Sequence, residues 1–482
     1  MPFLQRIYQI VWGVPTMLLI LSVGVYITWR TRFAQLRLLP AALKQFFGRM
    51  VDKREEDHGV SSFQALCTAL AATVGTGNLA GVAGAIAIGG PGAIFWMWIC
   101  GLIGMILKFA EATLALRYRV KSPTGEWVGG PMYMIRQGLP KWLHPLSGIY
   151  AFFGVAAAFG VGNATQINTV IAGVTDTLAL FGHTLDLEGK LLLGVLLAAM
   201  IGAMLLGGAK RIGQAAELLV PFAAGAYLCL GFVVLMLRFS RIDDAFCAIV
   251  QGAFHPDAVT GGLVGSVWCV LRTGVSRGIF TNEAGMGTAS IAHASAQVRH
   301  PVEQGMMGLV EVFADTIVIC TITALVILVS DVPIPYGLDA GIRLTIAAFA
   351  AVLGNWVSTV IVLCTCLFAL ATVLGWGLYG IRCAQYLFGD GVWKRFALLQ
   401  IVTVLLGAVI RADTVWLLAE IVNGLMAIPN LIALWVLTPE CILLYKNFLY
   451  GGNYENFHQR QPLRSLSHAH VPPPGCGGEA GR

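Results

Sequence analysis

The chain has 482 residues, of which 57% are hydrophobic and only 12% charged, and its mean hydropathy is +0.76. A soluble domain carries about 25% charged residues, so these figures exclude most soluble enzymes. The 57 glycines and 19 prolines follow no collagen-like period, which leaves tightly packed or broken helices within a bilayer as their explanation.

A membrane-spanning helix needs about 20 largely apolar residues. In chain order, eleven segments qualify: 10–29, 61–84, 93–116, 148–176, 191–208, 215–237, 262–295, 303–329, 354–388, 395–411 and 414–443. The connections are mostly too short for a separate soluble domain, so the chain reads as one all-α integral membrane unit. Continuous apolar runs, rather than short alternating strands, exclude a β-barrel.

The first segment follows only Arg6, lacks a small-residue cleavage site and precedes a dense basic stretch (Arg30, Arg32, Arg37, Lys44, Arg49, Lys53, Arg54). It reads as a retained helix rather than a signal peptide. The positive-inside rule places that stretch in the cytoplasm and the N-terminus outside. Alternating sides from there puts 22 Lys and Arg residues in cytoplasmic segments, 6 in external ones and 3 within spans, with the C-terminus cytoplasmic. The net charge of +6 is therefore a topology signal, and without a basic patch interleaved with aromatics no nucleic-acid partner is expected. Most of the eleven cysteines lie inside apolar segments and read as small buried hydrophobes. The tail from about residue 463 is rich in proline and glycine and reads as disordered.

Two segments are interrupted by glycine and polar residues. The second contains Val74-Gly75-Thr76-Gly77-Asn78 in an apolar background, and the seventh contains Thr281-Asn282-Glu283-Ala284-Gly285-Met286-Gly287. Glycine costs about 1 kcal/mol at a helix-interior position, and unwound backbone at membrane depth is tolerated only where it lines a cavity or is buried in protein. For one glycine pair, close helix packing is a sufficient alternative. Counted without the N-terminal helix, however, the interrupted segments are numbers 1 and 6 of ten. That spacing predicts two five-helix repeats of opposite orientation, each opening with a broken helix. An unwound turn exposes carbonyl oxygens to a small cation, and a resumed half-helix offers free amides to an anionic group. Such a site suits a carboxylate-bearing solute coupled to Na+ or H+.

Charged residues in the bilayer are functional candidates. Glu311 and Asp315 are spaced i, i+4, Lys108 and Glu111 are spaced i, i+3 and can pair, and Glu283 has Arg272 and Arg277 nearby in sequence. Asn163 and Gln166 in the fourth segment, and Thr372 and Trp376 one turn apart in the ninth, are further candidates for one cavity. Glycines such as Gly101, Gly104, Gly207 and Gly208 are expected to let helices approach closely.

Several blocks carry a resemblance: Gly59-Val60-Ser61-Ser62-Phe63-Gln64, Gly75-Thr76-Gly77-Asn78-Leu79-Ala80-Gly81, Gly89-Gly90-Pro91-Gly92, Gly129-Gly130-Pro131-Met132-Tyr133, Asn282-Glu283-Ala284-Gly285-Met286-Gly287 and Leu374-Gly375-Trp376. Over about residues 10–445 the chain resembles the alanine/glycine:cation symporter family. The resemblance implies sodium-driven uptake of alanine or glycine at the cell membrane. It also implies a leucine-transporter-like 5+5 inverted-repeat bundle with one extra N-terminal helix. The implied division is 1–29 (extra helix), 30–58 (basic linker), 59–237 (first repeat), 238–261 (external connection), 262–445 (second repeat) and 446–482 (tail).

Carried over by position, the resemblance implies a solute site at Gly75, Thr76, Gly77, Asn78, Gln166, Phe280, Thr281, Thr372 and Trp376. It implies Na+ at the Ala71, Val74 and Phe368 carbonyls and the Thr372 hydroxyl, with Asn78 and Thr281 open to a second ion. Asn282, Glu283 and Asp315 are the coupling or gating candidates. Ala371, Ser290 and Ile381 stand where relatives commonly carry a hydroxyl, a proline and a glutamate, respectively. No cofactor other than the coupling ion and no catalytic residue is expected. The alternatives are a same-fold symporter of another small solute, driven by protons through Asp315 or Glu283, and a membrane enzyme. The latter lacks a convergent His/Asp/Cys set, and a channel lacks a filter repeat.

Overall fold

The computed structural model describes residues 2–51 and 60–454, apart from positions 12, 124, 181, 263, 265, 339, 411 and 453. The tail from 463 lies outside the described residues. Helices α1 (Pro2–Val11), α2 (Val14–Arg30) and α3 (Ala34–Val51) precede a broken pair, α4 (Ser62–Thr73) and α5 (Val82–Gly89). Then come α6 (Gly92–Arg117), a short antiparallel hairpin of β1 (Val120–Lys121) and β2 (Trp127–Val128), and α7 (Pro131–Gly138). Helices α8 (Pro145–Phe159), α9 (Thr165–Leu180), α10 (Leu187–Leu205) and α11 (Gly208–Leu237) follow. After α12 (Ile242–Phe254) and α13 (Pro256–Thr260), a second broken pair begins with α14 (Val267–Asn282) and resumes as α15 (Thr288–His293). The chain ends through α16 (Pro301–Val312), α17 (Thr321–Val329), α18 (Gly341–Leu353), α19 (Trp356–Phe388), α20 (Trp393–Val409) and α21 (Ala412–Leu449).

Eight helical stretches among the described residues are long and apolar enough to cross a membrane, or ten if each of two bent pairs is one span. One bent pair is Ser62–Thr73 with Gly77–Gly89, at 49°; the other is Val14–Arg30 with Ala34–Met50, at 79°. Helices lie within each of the apolar segments expected from the sequence, the second and seventh being interrupted. Outward-facing Leu192, Leu196, Leu218, Phe222 and Phe232 are exposed, as a lipid-facing surface requires.

The two breaks have different local causes. Helix α4 starts with a capping box, in which Ser61 Oγ accepts from the Gln64 amide (3.0 Å) and Gln64 Oε1 accepts from the Ser61 amide (3.3 Å). It ends where Val74 turns extended, and a π-helical turn at Gly77–Gly81 restarts the chain. Helix α14 ends because Glu283, Gly285 and Gly287 all adopt left-handed backbone conformations (φ 53°, 88° and 78°). That conformation is costly for glutamate and easy for glycine.

Helix α6 packs against both α14 and α16. A Cβ on Gly305 would lie 2.2 Å from Thr113 Oγ1, and one on Gly308 would lie 2.8 Å from the Lys108 carbonyl oxygen. Small residues therefore set the α6–α16 spacing, as in membrane helix pairs generally. Gly101 and Gly104 behave as expected, with Thr316 and Ala284 carbons 3.0 and 3.1 Å from the added Cβ. Gly207 and Gly208 do not. They lie at the α10–α11 turn, where Gly208 has φ 83° and nothing within 4 Å of an added Cβ, and the nearest atoms to one on Gly207 belong to Arg211 of the same turn.

Candidate functional site

The first break alters its own hydrogen bonding. In an uninterrupted helix the Gly75 amide would bond to the Ala71 carbonyl and the Asn78 amide to the Val74 carbonyl. Instead the Gly75 amide donates to Asn78 Oδ1 (2.9 Å), and the Asn78 amide to the Gly75 carbonyl (3.3 Å). The helical partners of the Ala71 and Val74 carbonyls are thereby diverted. Asn78 also donates through Nδ2 to Asp315 Oδ1 at 2.7 Å, so one side chain shapes the turn and ties it to the π-helical segment Phe313–Cys320.

Helix α19 presents Thr372 to this turn. A Cβ on Gly75 would lie 2.7 Å from Thr372 Oγ1 and 3.7 Å from Gln166 Oε1. Thr372 is buried and its hydroxyl has no partner. Buried threonines elsewhere in helices, including Thr165, Thr323 and Thr365, bond back to the carbonyl four residues earlier. Thr372 makes no such bond to Phe368, so its oxygen is free to accept a cation or to donate to a solute.

Around the same turn, Thr76 Oγ1 donates to Gln166 Oε1 (3.0 Å), which brings α9 in. A Cβ on Gly77 would lie 3.5 Å from Thr281 Cγ2 and 3.7 Å from the Phe280 ring, which brings α14 in. Thr281 Oγ1 itself donates to the Gly278 carbonyl (2.9 Å). Asn282 Nδ2 donates to Thr316 Oγ1 (3.2 Å), which in turn donates to Asp315 Oδ2 (2.8 Å). Asp315 thus takes hydrogen bonds linking it to both breaks. Trp376 is fully buried and donates through Nε1 to Glu283 Oε1 (2.9 Å), while Thr288 Oγ1 donates to Glu283 Oε2 (2.7 Å).

Several expected partners differ. Lys108 does not pair with Glu111. Its amine donates to Glu311 Oε1 (2.9 Å), with both side chains fully buried, because the tight α6–α16 crossing puts Glu311 directly opposite. Glu283 bonds to Trp376 and Thr288, whereas Arg277 points to α21 and lies 3.9 Å from Glu420. Asn163 leaves the cavity for α20, donating to the Gln400 carbonyl (3.0 Å). Ser290 caps its own turn on the Gly287 carbonyl (2.5 Å), and Ala371 and Ile381 are buried.

Helix α18 is a contributor that the hydropathy reading missed, being too short to span. It packs across the first break, where Thr345 Oγ1 donates to the Leu79 carbonyl (2.9 Å). At its start Arg343 grips Asp176 of α9 through two hydrogen bonds of 2.6 and 2.8 Å.

Comparison with known proteins identifies the family and the fold. Residues 1–459 match the profile of the sodium:alanine symporter family. The chain is 42% identical to the sodium/alanine symporter AgcS of Methanococcus maripaludis, over 92% of this chain and 96% of that one. It is 38% identical to the probable sodium/glutamine symporter GlnT of Bacillus subtilis, over 91% and 89%. In three dimensions it superposes on MhsT in complex with L-phenylalanine with a TM-score of 0.54 at 17% identity, covering 81% of this chain and 99% of that one. The nucleobase-cation symporter MHP1 superposes at 0.51 with 13% identity, covering 86% and 96%. These structural likenesses fix the fold as leucine-transporter-like.

Proposed function

Since the chain belongs to the sodium:alanine symporter family, and is thus a multi-pass membrane protein performing sodium-coupled amino-acid symport, we propose that alanine or glycine is its solute and that the paired breaks hold both ligands. The observation that carries this reading is the coincidence of two diverted carbonyls with one unpartnered hydroxyl. Ala71 and Val74 lose their helical donors at the turn that faces Thr372 Oγ1. A sodium ion suits these oxygens and the Phe368 carbonyl, all of them hard ligands. The solute carboxylate belongs beside Gly75, Thr76, Gly77 and Asn78, with Gln166 and Thr281 near its amine. Phe280 and Trp376 restrict the side chain to a hydrogen or a methyl group.

Transport then follows from linkage. Sodium fixes the unwound turn, the fixed turn completes the amino-acid site, and each ligand stabilises the arrangement the other needs. Alternating access moves the half-helices against the rest of the bundle, with Asn282, Glu283 and Asp315 relaying the state of one break to the other. In this reading the N-terminus faces outside, the C-terminus faces the cytoplasm, and α18 covers the outer approach.

Uptake of radiolabelled alanine and glycine into proteoliposomes tests the assignment. An inward Na+ gradient should drive accumulation of both, each inhibiting the other, and a proton gradient alone should drive neither. Accumulation of a larger amino acid to the exclusion of both would overturn the proposed solute.

A further inference from the structure

Away from the paired breaks' solute and sodium positions, one buried carboxyl group stands apart in its hydrogen bonding. Glu311 meets Lys108 Nζ (2.9 Å) on one oxygen and His293 Nε2 (3.0 Å) on the other. Glu283 and Asp315 each receive a donor on both oxygens. Glu111, fully buried on α6, receives both of its donors on Oε1: the Gly287 amide at 3.0 Å and Asn430 Nδ2 at 2.8 Å. Its Oε2 is buried with no partner.

Asn430 of α21 has the matching deficiency. Its Nδ2 also donates to the Gly285 carbonyl (2.9 Å), a group that can only accept, so the orientation of the amide is settled. Asn430 Oδ1 is consequently an acceptor, and it too is buried without a partner. The two groups already joined by one hydrogen bond thus hold two orphaned acceptors between them. Each buried orphan is destabilising, and two acceptors cannot satisfy each other. One added proton can satisfy both, because a carboxylic acid donates where a carboxylate only accepts.

The surrounding charges do not remove the need. Lys108, one turn earlier on α6, gives its amine to Glu311, and His293 of α15 donates to the same Glu311 while its Nδ1 faces Gln304 Nε2 at 2.8 Å. Glu283 of the second break is engaged by Trp376 and Thr288, and the hydroxyls of Tyr150 (α8) and Tyr379 (α19), neither of which has a partner, lie within electrostatic range of Glu111. Further along α6 and α21, Arg117 pairs with Glu440. Glu111 is left as a carboxyl group with no counter-charge in hydrogen-bond contact.

We propose that Glu111 is a proton-binding site, its carboxyl group protonated in this conformation and donating from Oε2 to Asn430 Oδ1. The acid–amide pair clamps the second break, whose Gly285 carbonyl and Gly287 amide bond to the same two side chains, between α6 and α21. Loss of the proton leaves a buried carboxylate facing an amide oxygen and favours separation of the turn from α21. The clamped conformation binds the proton, so it is favoured at low pH and its population falls as pH rises through the ionisation of Glu111. This goes beyond the sodium and solute assignment and does not depend on which amino acid is carried.

The test is infrared spectroscopy of the full-length reconstituted protein in H2O and D2O, reading the carbonyl stretch of protonated carboxyl groups. Wild type should show an isotope-sensitive band that declines as pH rises, and Glu111→Gln should lose a component of it. Absence of the band in wild type, or an unchanged band in Glu111→Gln, would overturn the proposal. If Glu111→Gln does not fold, Asn430→Ala supplies the second reading: removal of the acceptor should shift the component to higher frequency, and an unshifted band would contradict the assignment. No alanine is present in the measurement, so its outcome is independent of the solute assignment.

Discussion

Asn78 Nδ2 and Asp315 Oδ1 meet at 2.7 Å with neither residue exposed to solvent. The same asparagine accepts the Gly75 amide, so the shape of the first break and its attachment to Asp315 rest on one side chain. Leaving a buried donor or acceptor unsatisfied costs about 1–3 kcal/mol. Asn78→Ala should therefore weaken sodium-dependent alanine binding by roughly tenfold to a hundredfold while the protein still reaches the membrane. Alanine counterflow in proteoliposomes, with membrane abundance measured in parallel, checks this; unaltered counterflow would remove Asn78 from the site.

Gly75 is required for close approach. An added Cβ would sit 2.7 Å from Thr372 Oγ1, on a helix that runs unbroken from Trp356 to Phe388 and cannot easily yield. Gly75→Ala should abolish sodium-dependent alanine binding in detergent, and isothermal titration calorimetry would register a silent titration.

Thr372 should answer to its hydroxyl rather than to its shape. Thr372→Val keeps the volume and removes the oxygen, and should raise the Na+ concentration for half-maximal transport by about tenfold, as expected for one lost ligand worth roughly 1.4 kcal/mol. Thr372→Ser should stay near wild type. Ala371→Ser, which adds a hydroxyl beside it, should lower that concentration. The Na+ dependence of uptake at fixed alanine separates the three.

The buried Lys108–Glu311 pair should matter mainly for stability. Removing one partner strands a charge in a fully buried place, at a cost of about 3–5 kcal/mol. Lys108→Met and Glu311→Gln should each lower the thermal unfolding midpoint in detergent, and the double change to Met at both positions should recover part of the loss. A double variant no better than either single one would mean that the pair is not the source of the effect.

Much of the architecture was legible because hydropathy and glycine placement act locally. The run Gly75-Thr76-Gly77-Asn78 and the run Asn282 to Gly287 mark the two breaks, and the apolar segments coincide with helices. Contacts across helix crossings were not legible. Lys108 and Glu111 are one turn apart and read as a pair, yet the glycines of α16 let Glu311 approach across the interface. Asn163 reads as a cavity residue until Gln400, on a helix far along the chain, takes its amide. The indole of Trp376 was expected to shape the solute pocket, but its hydrogen bond to Glu283 depends on how α19 faces the second break. Helix α18 escaped notice because thirteen residues are too few to cross a bilayer, although they suffice to cover the first break.

The central claim is that sodium and a small amino acid share one site built on the two breaks. Its most direct test is equilibrium binding of alanine at several Na+ concentrations, paired with binding of Na+ at several alanine concentrations, on the same purified protein. The account predicts that each ligand tightens the other by the same factor, of the order of 5- to 150-fold. Alanine affinity that is identical in sodium and in choline would contradict it.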